Sequence, residues 1–128
     1  MKILLDACTF LWIASDAPQL SEVARHAFAD PANDVFLSAV STWEIAIKQV
    51  LGRLRLPEDP ARFIPQQRRK HGIEALSLSE AATLLLPRLP NLHRDPFDRM
   101  LVCQALLEGM TLLTPDELIR QYPVPTTW

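Results

Sequence analysis

The stretch KILLDACTFLW (2–12) decides how the rest of the chain is read. Its first half, KILLD (2–6), is a short, continuously apolar run closed by an acid, and such a run reads as a strand covered on both faces. Helical sequence follows at once, as CTFLWIAS (8–15) and then LSEVARHAFAD (20–30), which opens at Ser21. A strand that feeds helices rather than a tight turn needs a crossover, so the next strand is expected to run parallel to the first.

The same alternation continues to the end of the chain. DVFLS (34–38) reads as a second strand, followed by a helix from Ser41 to Leu51 with Gly52 at its end. A Pro-bounded helical segment at 60–71, a third strand IEALSL (73–78) and a helix SEAATLLL (79–86) stopped by Pro87 come next. Residues 87–96 hold three prolines and read as a loop. PFDRMLVCQALLEG (96–109) is a helix closed by Gly109, MTLLT (110–114) a fourth strand, PDELIRQY a short helix and VPTTW an edge strand. The expected fold is α/β: one domain over residues 1–128, a three-layer α/β/α sandwich around a central, mainly parallel sheet of four to five strands. Ligands of such sheets bind outside the carboxyl ends of the strands.

Composition narrows the function classes. Hydrophobic residues make up 48% of the 128 and charged residues 22%, a globular balance. No apolar run approaches the roughly 20 residues of a membrane span, and the start MKILLDACTF is too short and too soon interrupted by Asp6 for a signal peptide. A cytoplasmic protein with no membrane partner is expected. Cys8 and Cys103 form no CxxC pair, which argues against a zinc site or a disulfide framework and leaves both as small core residues. With a net charge of −2, any nucleic-acid partner must be held by local basic groups or by metal ions.

Four acids fall where that partner would bind. Asp6 closes the first strand, Glu44 and Asp98 lie in the first turns of helices that follow strand or loop, and Asp116 lies two residues past the fourth strand. Structural roles account for three of them. STWE (41–44) and TPDE (114–117) read as capping boxes, and in DPFD (95–98) Asp95 reads as the N-cap, with Asp98 complementing the helix dipole. Asp6 has no such explanation, since an acid gains nothing by closing a strand. Carboxylates gathered in one cleft raise each other's pKa unless a cation lies between them. With only oxygen ligands on offer, a hard ion such as Mg²⁺ or Mn²⁺ is expected, and with it metal-dependent phosphoryl hydrolysis.

LLDACTFLW, SAVSTWEIAIK, HRDPFDRMLVCQAL and LLTPDELI occur in the order and spacing of PIN-domain ribonucleases, and the chain is most similar to the VapC-type toxins of bacterial toxin–antitoxin pairs. The resemblance implies that Asp6, Glu44, Asp98 and Asp116 form the catalytic, metal-binding quartet, with Asp6 and Asp98 as principal ligands. It implies Thr114 and Asp95 as supporting residues, RNA as substrate, a 5′-phosphate and a 3′-hydroxyl as products, a VapB-type antitoxin as partner, and a homodimer. Ala7 and Cys8 depart from the pattern, because many relatives carry a hydroxyl residue followed by His or Asn after the first Asp.

Several residues keep two readings. Lys48 and Arg99 are candidate phosphate contacts, or partners for nearby acids such as Glu44 at i,i+4. QQRRK (66–70) with His71 is a solvated basic helix face or an RNA-steering surface. Trp12 and Trp43 are expected in the core, while the resemblance makes Leu11, Trp12 and Phe28 candidates for the antitoxin surface. His93 either touches RNA or supports its loop. Two other enzyme and binding classes fit less well. A HAD-type phosphatase needs an acid where Cys8 stands, and a receiver domain needs an Asp after the third strand that IEALSL lacks. A degenerate PIN-fold interaction domain, whose acids only cap helices, remains the alternative to a nuclease.

Overall fold

A computed structural model describes residues 1–128. Five strands, β1 (Lys2–Leu5), β2 (Asp34–Ser38), β3 (Ile73–Leu76), β4 (Thr111–Leu113) and β5 (Thr126–Thr127), form one sheet in the order β3-β2-β1-β4-β5. Every pairing is parallel. Six helices connect and cover them: α1 (Ala7–Ser15), α2 (Glu22–Ala29), α3 (Ala39–Val50), α4 (Pro60–His71), α5 (Glu80–Leu85) and α6 (Pro96–Glu108). None is long and apolar enough to cross a membrane.

The apolar run of β1 is explained by its central place. Ile3 and Leu5 face a core shared with Phe10, Ile13, Ala24, Phe63 and Ile64 of α1, α2 and α4. Leu4 faces the opposite core, built with Leu101, Val102 and Ala105 of α6 and with Tyr122. All three β1 residues are fully buried, and each such side chain contributes about 1.5–3 kcal/mol relative to exposure. Helices lie on both faces, so the three-layer α/β/α reading holds.

Register then fixes the functional edge. Leu5 of β1 aligns with Leu37 of β2 and with Leu113 of β4. The next residues on the three strands, Asp6, Ser38 and Thr114, therefore end at one level. The connections leave β1 toward β2 on one side while β4 lies on the other, which makes the gap between β1 and β4 the switch point of the sheet.

Several element boundaries differ from the sequence reading, for related reasons. At two strand ends there is no loop, and the junction residue itself caps the following helix. Asp6 caps α1, accepting from the Thr9 amide, so this helix starts at Ala7 rather than Cys8. Ser38 caps α3, accepting from the Val40 amide, so the expected capping box at Ser41 and Glu44 does not form and Glu44 lies in the second turn. The third strand stops at Leu76, and Pro87 continues the chain after α5 as a 3₁₀ turn (Leu86–Arg88) rather than ending a longer helix. PDELIRQY makes only turns and a 3₁₀ segment at Ile119–Gln121. The α6 boundaries agree, with Asp95 as N-cap and Gly109 closing the helix at φ 67, a conformation that side chains disfavour.

Candidate active site

Asp6, Glu44, Asp95, Asp98 and Asp116 line one cavity of about 270 Å³ at the switch point, together with Ala7, Cys8, Trp12, Lys48 and Pro115. Each is placed by a different local device. Asp6 is 6% exposed and both of its oxygens have a donor: the Thr9 amide at 2.8 Å and the Thr114 hydroxyl at 2.6 Å. Thr9 in turn donates its hydroxyl to the Leu113 carbonyl, which ties α1 to the end of β4. The cap that the sequence reading denied to Asp6 thus exists, and it leaves the second oxygen for Thr114. Burial raises the Asp6 carboxyl above its usual 3.8, against the hydrogen bonds from Thr114 and Thr9.

Asp98 is held differently. The Asp95 carboxylate accepts from the Phe97 and Asp98 amides, which starts α6 and sets Asp98 in its first turn. Burial, followed by the charges of Asp95, Asp6, Glu44 and Asp116, pushes the Asp98 carboxyl up to about 7. Asp116 anchors its own turn: Oδ1 accepts from the Leu118 and Ile119 amides, and its backbone amide donates to the Thr114 hydroxyl. Thr114 is therefore a relay that accepts from one acid's backbone and donates to another acid's side chain.

Glu44 is buried at 4% exposure, and Lys48 one turn later meets its Oε2 at 2.5 Å. Its Oε1 is buried without any partner. The ion pair, chiefly through its hydrogen bond, raises the Lys48 ammonium above its usual range, so Lys48 stays cationic at the cavity wall. A buried orphan carboxylate oxygen, several acids of one sign and a donor set of oxygens together fit a hard divalent cation.

His93 is the residue whose place the sequence left open. Its Nε2 lies 3.0 Å from Asp98 Oδ2 and 3.3 Å from Asp116 Oδ2, so the acids do not have an all-oxygen environment. A signal was present in HRDPFD, where His93 stands two residues before the α6 cap.

The other residues singled out in the sequence take varied places. Arg99 is not among the residues that line the cavity, and its guanidinium donates to the Leu89 carbonyl at 3.4 Å. Cys8 is exposed and lines the acidic cavity rather than the core, its thiol pushed up to about 11 by desolvation and then by the Asp6 charge, whereas Cys103 is buried as expected. Trp43 is 58% exposed and meets Phe97 edge-on at 5.1 Å. Trp12 packs partly against the core and lies 5.7 Å from Trp128, with Leu11 and Phe28 on the same core. The basic run ends α4, where Arg68, Arg69, Lys70 and His71 complement the negative end of the helix dipole.

Fold and site together define a parallel α/β protein with a carboxylate cleft at the switch point of its sheet. The chain belongs to the PIN domain family, whose model matches residues 3–125. Ribonuclease VapC22 of Mycobacterium tuberculosis (strain ATCC 25618 / H37Rv) is 27% identical over 128 residues, which covers 98% of this chain and 96% of that protein. Ribonuclease VapC16 of the same organism is 44% identical over 54 residues, 42% of this chain and only 38% of that protein. The crystal structure of VapBC2 from Rickettsia felis, bound to a DNA fragment from their promoter, superposes with a TM-score of 0.75 at 14% identity, covering 99% of this chain and 98% of that one. FitAcB from Neisseria gonorrhoeae gives a TM-score of 0.64 at 18% identity, with 98% and 96% covered. These structures share the fold.

Proposed function

We infer that the protein is a metal-dependent endoribonuclease and the toxin component of a type II toxin–antitoxin pair. The observation that carries this reading is the gathering of Asp6, Glu44, Asp98 and Asp116 around one cavity, in a PIN domain that aligns end to end with a ribonuclease. Asp6 and Asp98 are the principal ligands for Mg²⁺ or Mn²⁺, with the free Glu44 oxygen and Asp116 completing the set. The ion, when bound, supplies positive charge for phosphoryl oxygens and lowers the pKa of water.

The chain's own residues do the rest. Thr9 and Thr114 hold Asp6 in one orientation, and the Asp95 cap aims Asp98 at the strand ends. Lys48, a cation at the cavity wall that is 44% exposed, is placed to meet a substrate phosphate. Water attacks phosphorus, the bond to the 3′ oxygen breaks, and the products carry a 5′-phosphate and a 3′-hydroxyl. No covalent enzyme intermediate is involved. A VapB-type antitoxin and a second copy of the chain are the partners this reading carries.

Purified full-length protein should cleave RNA with Mg²⁺ or Mn²⁺ and stop on chelation. Cleavage that survives both EDTA and Asp98→Asn would defeat the reading. Induced expression should arrest growth, and co-expression of a short gene encoded beside it should relieve the arrest.

A further inference from the structure

We propose that His93 is a positioning residue of the acidic site, a proton donor to Asp116 that lies against Asp98 and stays outside the coordination shell of any metal bound there. The claim rests on the nuclease reading for its purpose but on hydrogen-bond geometry for its content.

The ring is fixed from behind. The amides of Leu92 and His93 both donate to the Tyr122 hydroxyl, at 3.1 and 2.9 Å, and Tyr122 is buried in the α6 core. The loop before α6 is thereby anchored to the far end of the chain. The His93 side chain is 11% exposed, which leaves the ring little freedom to turn.

The same geometry selects the tautomer. The Asp95 amide donates to His93 Nδ1 at 3.2 Å, so Nδ1 carries a lone pair and the ring proton resides on Nε2. That proton is directed at Asp116 Oδ2, 3.3 Å away, while Asp98 Oδ2 lies 3.0 Å from the same nitrogen, in contact but off the N–H direction. The ligand-type atoms of His93, Asp98 and Asp116 all lie within 4.8 Å of one another, a spacing that would also suit a three-residue metal site. Metal ligation through Nε2, however, requires the proton to move to Nδ1, where it would oppose the Asp95 N–H. A protonated Nε2 instead holds Asp116 by a hydrogen bond and seats Asp98 against the same ring, so that two carboxylates that otherwise repel stay side by side. Asp95 thus serves three elements at once: its carboxylate starts α6, its amide sets the His93 tautomer, and through His93 it aligns Asp98 with Asp116. Because the imidazole is withheld, the ligand set stays all-carboxylate, which favours a hard ion.

Three measurements on the full-length protein test this. Long-range ¹H–¹⁵N correlation of the metal-free protein should show the Nε2–H tautomer at His93; an Nδ1–H tautomer overturns the proposal whether or not the protein is a nuclease. In the Mn²⁺-loaded protein, pulsed EPR should show no directly ligated imidazole nitrogen, and a strong ¹⁴N coupling that vanishes in His93→Gln would make His93 a ligand instead. Mn²⁺ affinity should fall about 10- to 100-fold in His93→Ala and be largely restored in His93→Gln, whose amide supplies a donor at a similar reach. Equal loss in both variants, or no loss in either, with folding verified by thermal melts, overturns the donor role. If the wild type binds no Mn²⁺ at all, the nuclease reading fails, and the tautomer measurement still decides the claim about His93.

Discussion

At Asp6 the chain supplies a donor to each carboxylate oxygen, the Thr9 amide and the Thr114 hydroxyl. At Asp98 no donor is bonded to the carboxylate, since His93 Nε2 lies 3.0 Å away but hydrogen-bonds Asp116, and the charges of Asp95, Asp6, Glu44 and Asp116 all act against ionisation. Both groups are raised by burial, but only at Asp6 do hydrogen bonds pull strongly the other way. The difference separates two tasks. Asp6 is built into the fold as a helix cap and a strand-end clasp, whereas Asp98 is left short of positive charge, as a ligand awaiting a cation must be.

The widest test of that contrast is the pair Asp6→Asn and Asp98→Asn. RNA cleavage should fall by more than about 100-fold in both, beyond what loss of a mere supporting contact costs. Stability should split them. Asn still caps α1, but its amide cannot accept the Thr114 hydroxyl as a carboxylate does, so Asp6→Asn should lose about 1–3 kcal/mol. Asp98→Asn removes a crowded buried charge and should melt at or above the wild-type temperature without metal. Equal destabilisation would erase the distinction.

Lys48→Met probes the third corner. It leaves Glu44, with a side chain 6% exposed, without its counter-ion, and should cost about 1–3 kcal/mol in chelator. Mn²⁺ should then raise the melting temperature more in the variant than in the wild type, because the ion meets a carboxylate that has lost its partner.

A pH series sharpens the Asp98 side. A carboxyl near 7 in the folded state and 3.8 when unfolded keeps its proton longer in the native protein. Its ionisation therefore opposes folding: the metal-free protein should lose stability as pH rises from about 4 to about 7 and level off above. Urea midpoints in EDTA would show the slope, and Asp98→Asn or added Mn²⁺ should flatten it.

The smallest effect is expected at Tyr122→Phe. It removes the acceptor shared by the Leu92 and His93 amides, at a cost of about 1 kcal/mol, and frees the loop that carries His93. Mn²⁺ affinity should drop modestly while Asp6 keeps its hydrogen bonds.

Much of this was readable from local pattern. The apolar run 3–5, the Asp95 cap with Pro96 behind it, and Gly109 at the helix end use interactions that span four residues or fewer. Two of the elements that local pattern misplaces lie where a strand passes into a helix without a loop. Ser38 and Asp6 each look like the end of a strand, and each is also the cap of a helix, so the pattern at Ser41 imitates a capping box three residues past the true cap. Local pattern predicts a helix at Asp116; its carboxylate caps a turn and a 3₁₀ segment instead.

By itself, then, the sequence determined the polarity and order of the elements, the acids that fall at their ends and the helix that presents Asp98. Those properties follow from side-chain period and capping, which act between near neighbours. Only the tertiary structure decided which of these groups meet. Thr114 clasps Asp6 across 108 positions, Tyr122 seats His93 across 29, and His93 bonds Asp116 and lies against Asp98. Such meetings depend on strand order and on the register that brings Leu5, Leu37 and Leu113 level, and both arise from burying β1 between two cores at once.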